Sequence, residues 1–211
     1  MIYETRWDFI QPFVEGKRVL DIGPAELVGT INRNKIDRWI HRKIANAATS
    51  VVGIEKNMEQ VQKLSSMGYD IREGDAEEFD LDEKFDIVFA GELIEHLSNP
   101  GNFLNCAKKH LLPGGKILLT TPNRFSILSL SFIIRFGQVE AYHKPIAKHV
   151  LYFDEDSLCS LLKRHGFSRP NVGYCKWVGA QNTSWKGKML LNITKQFRPM
   201  LLPVLTIYAL K

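Results

Sequence analysis

The chain has 211 residues, 45% of them hydrophobic and 24% charged, a composition that fits a folded domain with a sizeable apolar core and excludes a disordered tail or a membrane bundle. Its 28 Lys and Arg against 23 Asp and Glu leave a net charge of +5, which suits an anionic partner without demonstrating one, so nucleic acid is open but not favoured. Cys106, Cys159 and Cys175 are an odd number without CxxC spacing and indicate neither a disulfide framework nor a zinc knuckle; a reducing, cytoplasmic setting is the expectation.

Residues 1–13 mix Glu4, Arg6 and Asp8 with aromatics and lack the continuous apolar run of a secretory signal. From Lys17 to about Asn123, short β-branched runs alternate with longer helix-compatible ones, the pattern of a parallel sheet with helices on its faces. Strands are predicted at Val19–Ile22, Val51–Glu55, Tyr69–Arg72, Asp86–Ala90 and Lys116–Thr121. Several end in Gly, Asp or Glu, where ligand-facing residues sit in open α/β sheets.

Between the first two strands, Asn32–Ala47 sets Ile36, Trp39, Ile40, Ile44 and Ala47 on one helical face and Arg33, Lys35, Arg38, Arg42 and Lys43 on the others. The charges are either solvated or a polyanion-binding face. After Pro122 the alternation stops for the stretch Asn123–Phe153, a position where a long insertion covers a site. Within it Phe125, Leu128, Phe132 and Phe136 follow helical spacing, with Ile127, Leu130 and Ile134 one stripe over. Such a helix must be buried in protein or meet lipid or ligand. A helix over Glu155–His165, strands at Val172–Val178 and Val204–Leu210, and between them a helix over Lys186–Leu202 complete the expected elements. The stretches Phe125–Phe136 and Met189–Leu210 are both poor spanning segments, the first too short and the second broken by Lys195, Arg198, Pro199 and Pro203. Peripheral membrane contact stays open, and the oligomeric state is not legible.

Three acidic strand ends carry the chemistry. Val19-Leu20-Asp21-Ile22-Gly23-Pro24-Ala25 runs a strand into a carboxylate and a small-residue turn that lets backbone approach a ligand. A dinucleotide fingerprint would need glycine where Ala25 and Val28 stand. Glu55, ending the second strand, has the position of a carboxylate that accepts both ribose hydroxyls, and Asp75 in Gly74-Asp75-Ala76 can accept an exocyclic amine. Ala90 and Gly91 end the fourth strand, and Gly91-Glu92-Leu93-Ile94-Glu95-His96-Leu97 follows.

These motifs, with Phe85-Asp86-Ile87-Val88, Leu112-Pro113-Gly114-Gly115-Lys116 through Thr121-Pro122-Asn123, His149-Val150-Leu151-Tyr152-Phe153 and the run from Leu161 to Phe167, resemble the class I S-adenosylmethionine-dependent methyltransferases, particularly the branch of the ubiquinone-biosynthesis O-methyltransferases. The resemblance covers about Lys17–Phe167. It implies an α/β fold of seven mostly parallel strands with helices on both faces and the last strand antiparallel. Residues 1–211 then form a single methyltransferase domain, with a basic helical insertion over about 28–48 and an active-site cover over about 123–150. The cofactor would be S-adenosylmethionine, held by Asp21, Ile22, Gly23, Ala25, Glu55, Lys56, Asp75, Ala76, Ala90 and Gly91. The acceptor would be a small molecule, glycan or lipid-linked compound, methylated at oxygen. An RNA-end 2′-O-methyltransferase and a cofactor-binding subunit without turnover are the alternatives. Two departures from the family pattern stand out: Ala25 and Leu27 replace turn glycines, and Asp21 and Glu55 lie 34 positions apart, wider than is usual.

Glu92, Glu95 and His96 would share one face of a helix at spacings i, i+3 and i+4. They read as a helix N-terminus with a pocket wall, as a magnesium or manganese site completed by His149, or as surroundings of a metal-free general base at His96 or His149. The metal ligands would be Glu92, Glu95, His96 and His149. Trp7, Trp177 and Trp185 are candidate stacking surfaces, and His41, His110, His143 and His165 receive no role.

Overall fold

The computed structural model describes residues 1–25, 39–137, 149–176, 189, 192, 194, 196 and 198–211. Its strands are β1 (Ile2–Tyr3), β2 (Arg18–Ile22), β3 (Ser50–Glu55), β4 (Ile71–Glu73), β5 (Phe85–Gly91), β6 (Leu111–Pro122), β7 (Ser168–Cys175) and β8 (Val204–Leu210). The helices are α1 (Arg6–Val14), α2 (Ile40–Ala47), α3 (Met58–Ser66), α4 (Pro100–His110), α5 (Ile127–Phe136) and α6 (Glu155–Arg164).

All eight strands form one sheet in the order β1-β7-β8-β6-β5-β2-β3-β4, one more than expected. The extra member is β1, which pairs in parallel with β7 through Ile2–Tyr174 and Tyr3–Cys175. Among the described strands only β8 runs antiparallel, to both β6 and β7. From β2 the chain steps outward to β3 and β4, then returns to lay β5 on the other side of β2. The crevice between the carboxyl ends of β2 and β5 is therefore a topological switch point, where open α/β sheets bind ligands.

Alternation along the strands divides the core. Leu20, Ile22, Val88, Ala90, Ile117 and Leu119 pack on one face with Phe103 and Leu104 of α4 and Leu158 and Leu162 of α6. Val19, Ile87, Phe89 and Leu118 pack on the other with Phe9, Ile10 and Val14 of α1 and Ile44 of α2. Asp21 alternates with Leu20 and Ile22 and so faces α2. The helices start where capping chemistry allows. Thr5 and Asp8 form a reciprocal capping box at α1, Asp154 and Ser157 do so at α6, and Asn99 followed by Pro100 opens α4.

Several boundaries differ from the sequence reading. The helix expected over Asn32–Ala47 is described from Ile40 only, with Trp39 at its N-cap; residues 26–38 lie outside the described residues. The seventh strand begins at Ser168 rather than Val172, because its pairing with β8 reaches back to Ser168–Leu210 across an irregularity at Arg169, whose φ is +49°. Of the helix expected over Lys186–Leu202, Met189, Asn192, Thr194 and Gln196 are helical, residues 186–188, 190, 191, 193, 195 and 197 lie outside the described residues, and Pro199–Leu201 forms a 3₁₀ turn. No helix among the described residues is long and apolar enough to cross a membrane.

Candidate active site

The carboxyl ends of β2, β3 and β5 are level: Ile22 is in register with both Ile54 and Ala90. β2 then turns at Gly23, whose φ of +75° favours glycine and whose N–H donates to the Ile54 carbonyl at 2.9 Å. A side chain there would meet Leu93 Cδ1 at 3.3 Å. Two hollows share Gly23. The larger, about 200 Å³, is bounded by Ile22, Gly23, Ile54, Lys56, Gly74, Asp75, Ala76, Glu77, Leu93, His96, Leu97 and Ser98. The smaller, about 10 Å³, is lined by Asp21, Gly23, Pro24, Trp39, Ile40, His41, Phe89 and Gly91.

Of the expected cofactor residues, Ile22, Gly23, Lys56, Asp75 and Ala76 thus line the large cleft, whereas Asp21 and Gly91 line the small one. Glu55 ends β3 between Ile54 and Lys56 without itself lining either hollow, one oxygen accepting the Asn57 N–H at 2.9 Å. Ala90 is buried in the sheet and Ala25 packs beside Trp39. Asp75 is held below the usual carboxylate range, first by the backbone N–H of Glu77 and then by the Lys56 ammonium at 2.6 Å, which in turn is pushed up by Asp75.

The Glu92–His96 stretch is not one helix. The Glu92 N–H donates to the Thr120 carbonyl at 2.8 Å, so the strand pairing runs on past Gly91, and Glu92 takes a left-handed φ of +53°. Its carboxylate lies 3.9 Å from the buried Arg6 guanidinium. Only Ile94–His96 is helical, as a 3₁₀ turn. Glu95 is buried there and accepts the Thr121 hydroxyl at 2.9 Å, while its carbonyl accepts the N–H groups of Val150 and Leu151. Those two bonds bring His149 beside His96, with ring centroids 4.8 Å apart. Glu95, His96 and His149 each offer one ligand atom within 4.8 Å of the others. Three of the four expected metal residues converge, and Glu92 stands apart from them.

The stretch expected to cover the site is anchored at its two described ends. Asn123 bridges to Phe153, Arg124 N–H donates to the Phe153 carbonyl at 3.0 Å, and the Asn123 amide donates to the carbonyls of Met200 and Leu202. Between the anchors, no residue of α5 is buried, and Ile134 is 87% exposed. Residues 138–148, with His143, lie outside the described residues, as do Trp177 and Trp185. Trp7 packs at the α1–α2 contact under Lys43.

Two histidines left without a role have clear ones. His110 accepts the Leu81 N–H at 2.7 Å and lies 2.7 Å from the Cys106 carbonyl, a satisfied core histidine. His41 lies with Nδ1 2.8 Å from the Asp21 carboxylate, both groups buried. The available signal for His41 was its place beside Trp39 and one turn before Ile44, on the apolar side of the helix. His165 bonds Asn105 at 2.9 Å.

Fold and site together define a class I, Rossmann-like methyltransferase fold. A model of the methyltransferase domain matches residues 5–169, and the chain belongs to that family. It is 33% identical over 113 residues to the human mitochondrial ubiquinone biosynthesis O-methyltransferase, covering 48% of this chain and 30% of the relative. It is 32% identical over 118 residues to the Rhizobium etli ubiquinone biosynthesis O-methyltransferase, covering 53% and 43%. The chain thus aligns with less than half the length of these relatives. Among solved structures, an S-adenosylmethionine-dependent methyltransferase from Mesorhizobium loti superposes with a TM-score of 0.64 at 15% identity, covering 97% of this chain and 95% of that one. One from Archaeoglobus fulgidus gives 0.62 at 19% identity, covering 98% and 91%.

Proposed function

We propose that this chain transfers the methyl group of S-adenosylmethionine to an oxygen of a small-molecule, glycan or lipid-linked acceptor. The observation that carries this reading is that His96 lines the same cleft as Gly23 and Asp75, with a ligand atom of His149 and one of Glu95 within 4.8 Å of its own. The residues fit the cofactor. The left-handed turn at Gly23 and the bare Gly74, where a Cβ would sit 3.0 Å from Ile54 and 3.3 Å from Phe79, leave backbone lining the cleft. Glu55 would take the ribose hydroxyls, Asp75 the adenine amine, and Asp21, Gly23 and Gly91 the methionine portion. When bound, the cofactor supplies an electrophilic methyl on a sulfonium. The chain's own part is to align the acceptor hydroxyl and take its proton onto His96 or His149.

The Glu95–His96–His149 donor set also suits a divalent ion such as magnesium or manganese, which would acidify the acceptor hydroxyl. The ubiquinone biosynthesis relatives favour a small hydroxylated acceptor, and the exposed apolar face of α5 favours one with a lipid tail or a membrane source. The test is transfer of isotopically labelled methyl from S-adenosylmethionine to hydroxylated aromatic acceptors, followed by mass spectrometry with and without excess chelator. Label on oxygen that is lost in His96→Ala supports the assignment. Label on nitrogen, or turnover untouched by loss of both His96 and His149, refutes it. Full activity in chelator removes Glu95 from the catalytic machinery and leaves a histidine base.

A further inference from the structure

The smaller hollow is shaped by the end of the long connection between β2 and β3. Asp21 and Gly53 are register partners, and both face α2. His41, the second residue of that helix, lies in this space, 1% exposed, with Nδ1 2.8 Å from Asp21 Oδ2; Asp21 itself is 3% exposed. Gly53 leaves room beside the ring: a Cβ there would crowd Ile71 Cδ1 first and would stand 3.0 Å from Pro24 Cγ and 3.3 Å from His41 Cε1. Two residues earlier the buried Trp39 donates Nε1–H to the Pro24 carbonyl at 2.6 Å. One short stretch therefore grips the Gly23–Ala25 turn twice, at the carboxylate before it and at a carbonyl within it.

A buried carboxylate needs a donor, and the bond from His41 fixes which way the remaining oxygen looks. Donation from Nδ1 makes Nε2 a lone-pair acceptor. Nε2 is buried and has no hydrogen-bond partner among the described residues, and His41 borders a hollow of about 10 Å³, room for about one water. A site with an anchored carboxylate and an unfilled acceptor matches a cationic donor such as an ammonium, met directly or through that water.

We propose that His41 is the positioning residue of the cofactor site: it holds Asp21 in the orientation that receives the ammonium end of S-adenosylmethionine, and the β2–β3 connection, through Trp39 and His41, braces a turn that has only one glycine. This rests on the reading of this sheet edge as the cofactor site. The geometry makes a specific demand, because asparagine can place its N–H where Nδ1 stands, whereas glutamine reaches toward Nε2.

The experiment is calorimetric titration of the full chain with S-adenosylhomocysteine, which keeps the ammonium, for the parent, His41→Asn, His41→Gln and His41→Leu, with denaturant unfolding of each. Glu55→Ala is titrated in parallel. Leu and Gln should weaken binding by about tenfold or more, the loss expected of a hydrogen bond to a charged group, with Asn within about threefold of the parent. In turnover the loss should fall on the cofactor KM and leave kcat nearly unchanged. Equal affinities for Asn and Gln overturn the proposal, and that contrast decides alone should the Leu variant not fold. If Glu55→Ala weakens binding and the His41 variants do not, the role of His41 fails by itself. If the parent does not bind, or Glu55→Ala binds as tightly as the parent, the cofactor reading fails first.

Discussion

Gly23 joins the two hollows, and its replacement by alanine isolates what the turn requires. The perturbation has two parts. Alanine at a φ of +75° carries the left-handed backbone penalty, about 1–2 kcal/mol. Its Cβ would also stand 3.3 Å from Leu93 Cδ1, so Leu93 must give by a few tenths of an ångström. Urea unfolding should therefore show Gly23→Ala destabilised by about 1–2 kcal/mol, slightly more if Leu93 resists. The double variant Gly23→Ala/Leu93→Ala separates the parts: it removes the steric contact and keeps the backbone penalty, so the Gly23→Ala cost measured in the Leu93→Ala background should shrink but not vanish. Because Leu93 and Gly23 both line the larger cleft, cofactor affinity should fall along with stability. A Gly23→Ala variant as stable as the parent would refute the left-handed turn and the cleft built on it.

Asp75 and α5 supply further predictions. Since the Asp75 carboxyl is depressed in the folded chain, its contribution should be complete above the ordinary carboxylate pKa of about 3.9 and be lost as pH falls through its lower folded value. Unfolding of parent and Asp75→Asn at pH 7 should differ by less than about 1 kcal/mol, given the exposed Lys56 partner, and the difference should close in strong acid; a gap that instead opens toward acid contradicts the assignment. Hydrogen exchange should find residues 127–136 weakly protected in the free chain and better protected with cofactor or acceptor bound. Strong protection in both states would mean a static core helix and remove the cover.

Much of the sheet was legible because five parallel strands are short apolar runs, several with acidic or glycine ends, and β8 is expected and found over Val204–Leu210. β1 was not, because two residues carry no periodicity and Ile2–Tyr3 is a strand only through its bonds to β7. The helical spacing of Glu92, Glu95 and His96 misled because pairing with β6 continues past Gly91 and turns Glu92 toward Arg6. His149 was legible as a partner of His96 by its motif alone, while the contact that delivers it, the Glu95 carbonyl to Val150 and Leu151, is a backbone event with no sequence signature. His41 stayed hidden for a similar reason: its partner Asp21 is 20 positions away in sequence, and the two meet only because strand alternation turns Asp21 toward α2.

The central claim is that the acidic strand ends bind S-adenosylmethionine, and the most direct measurement is calorimetric titration of the parent and Glu55→Ala with that cofactor. The parent should bind one equivalent, and Glu55→Ala should lose about 1.5–3 kcal/mol, the range for hydrogen bonds to a charged group. No heat from the parent, or equal affinity in the two proteins, would contradict it.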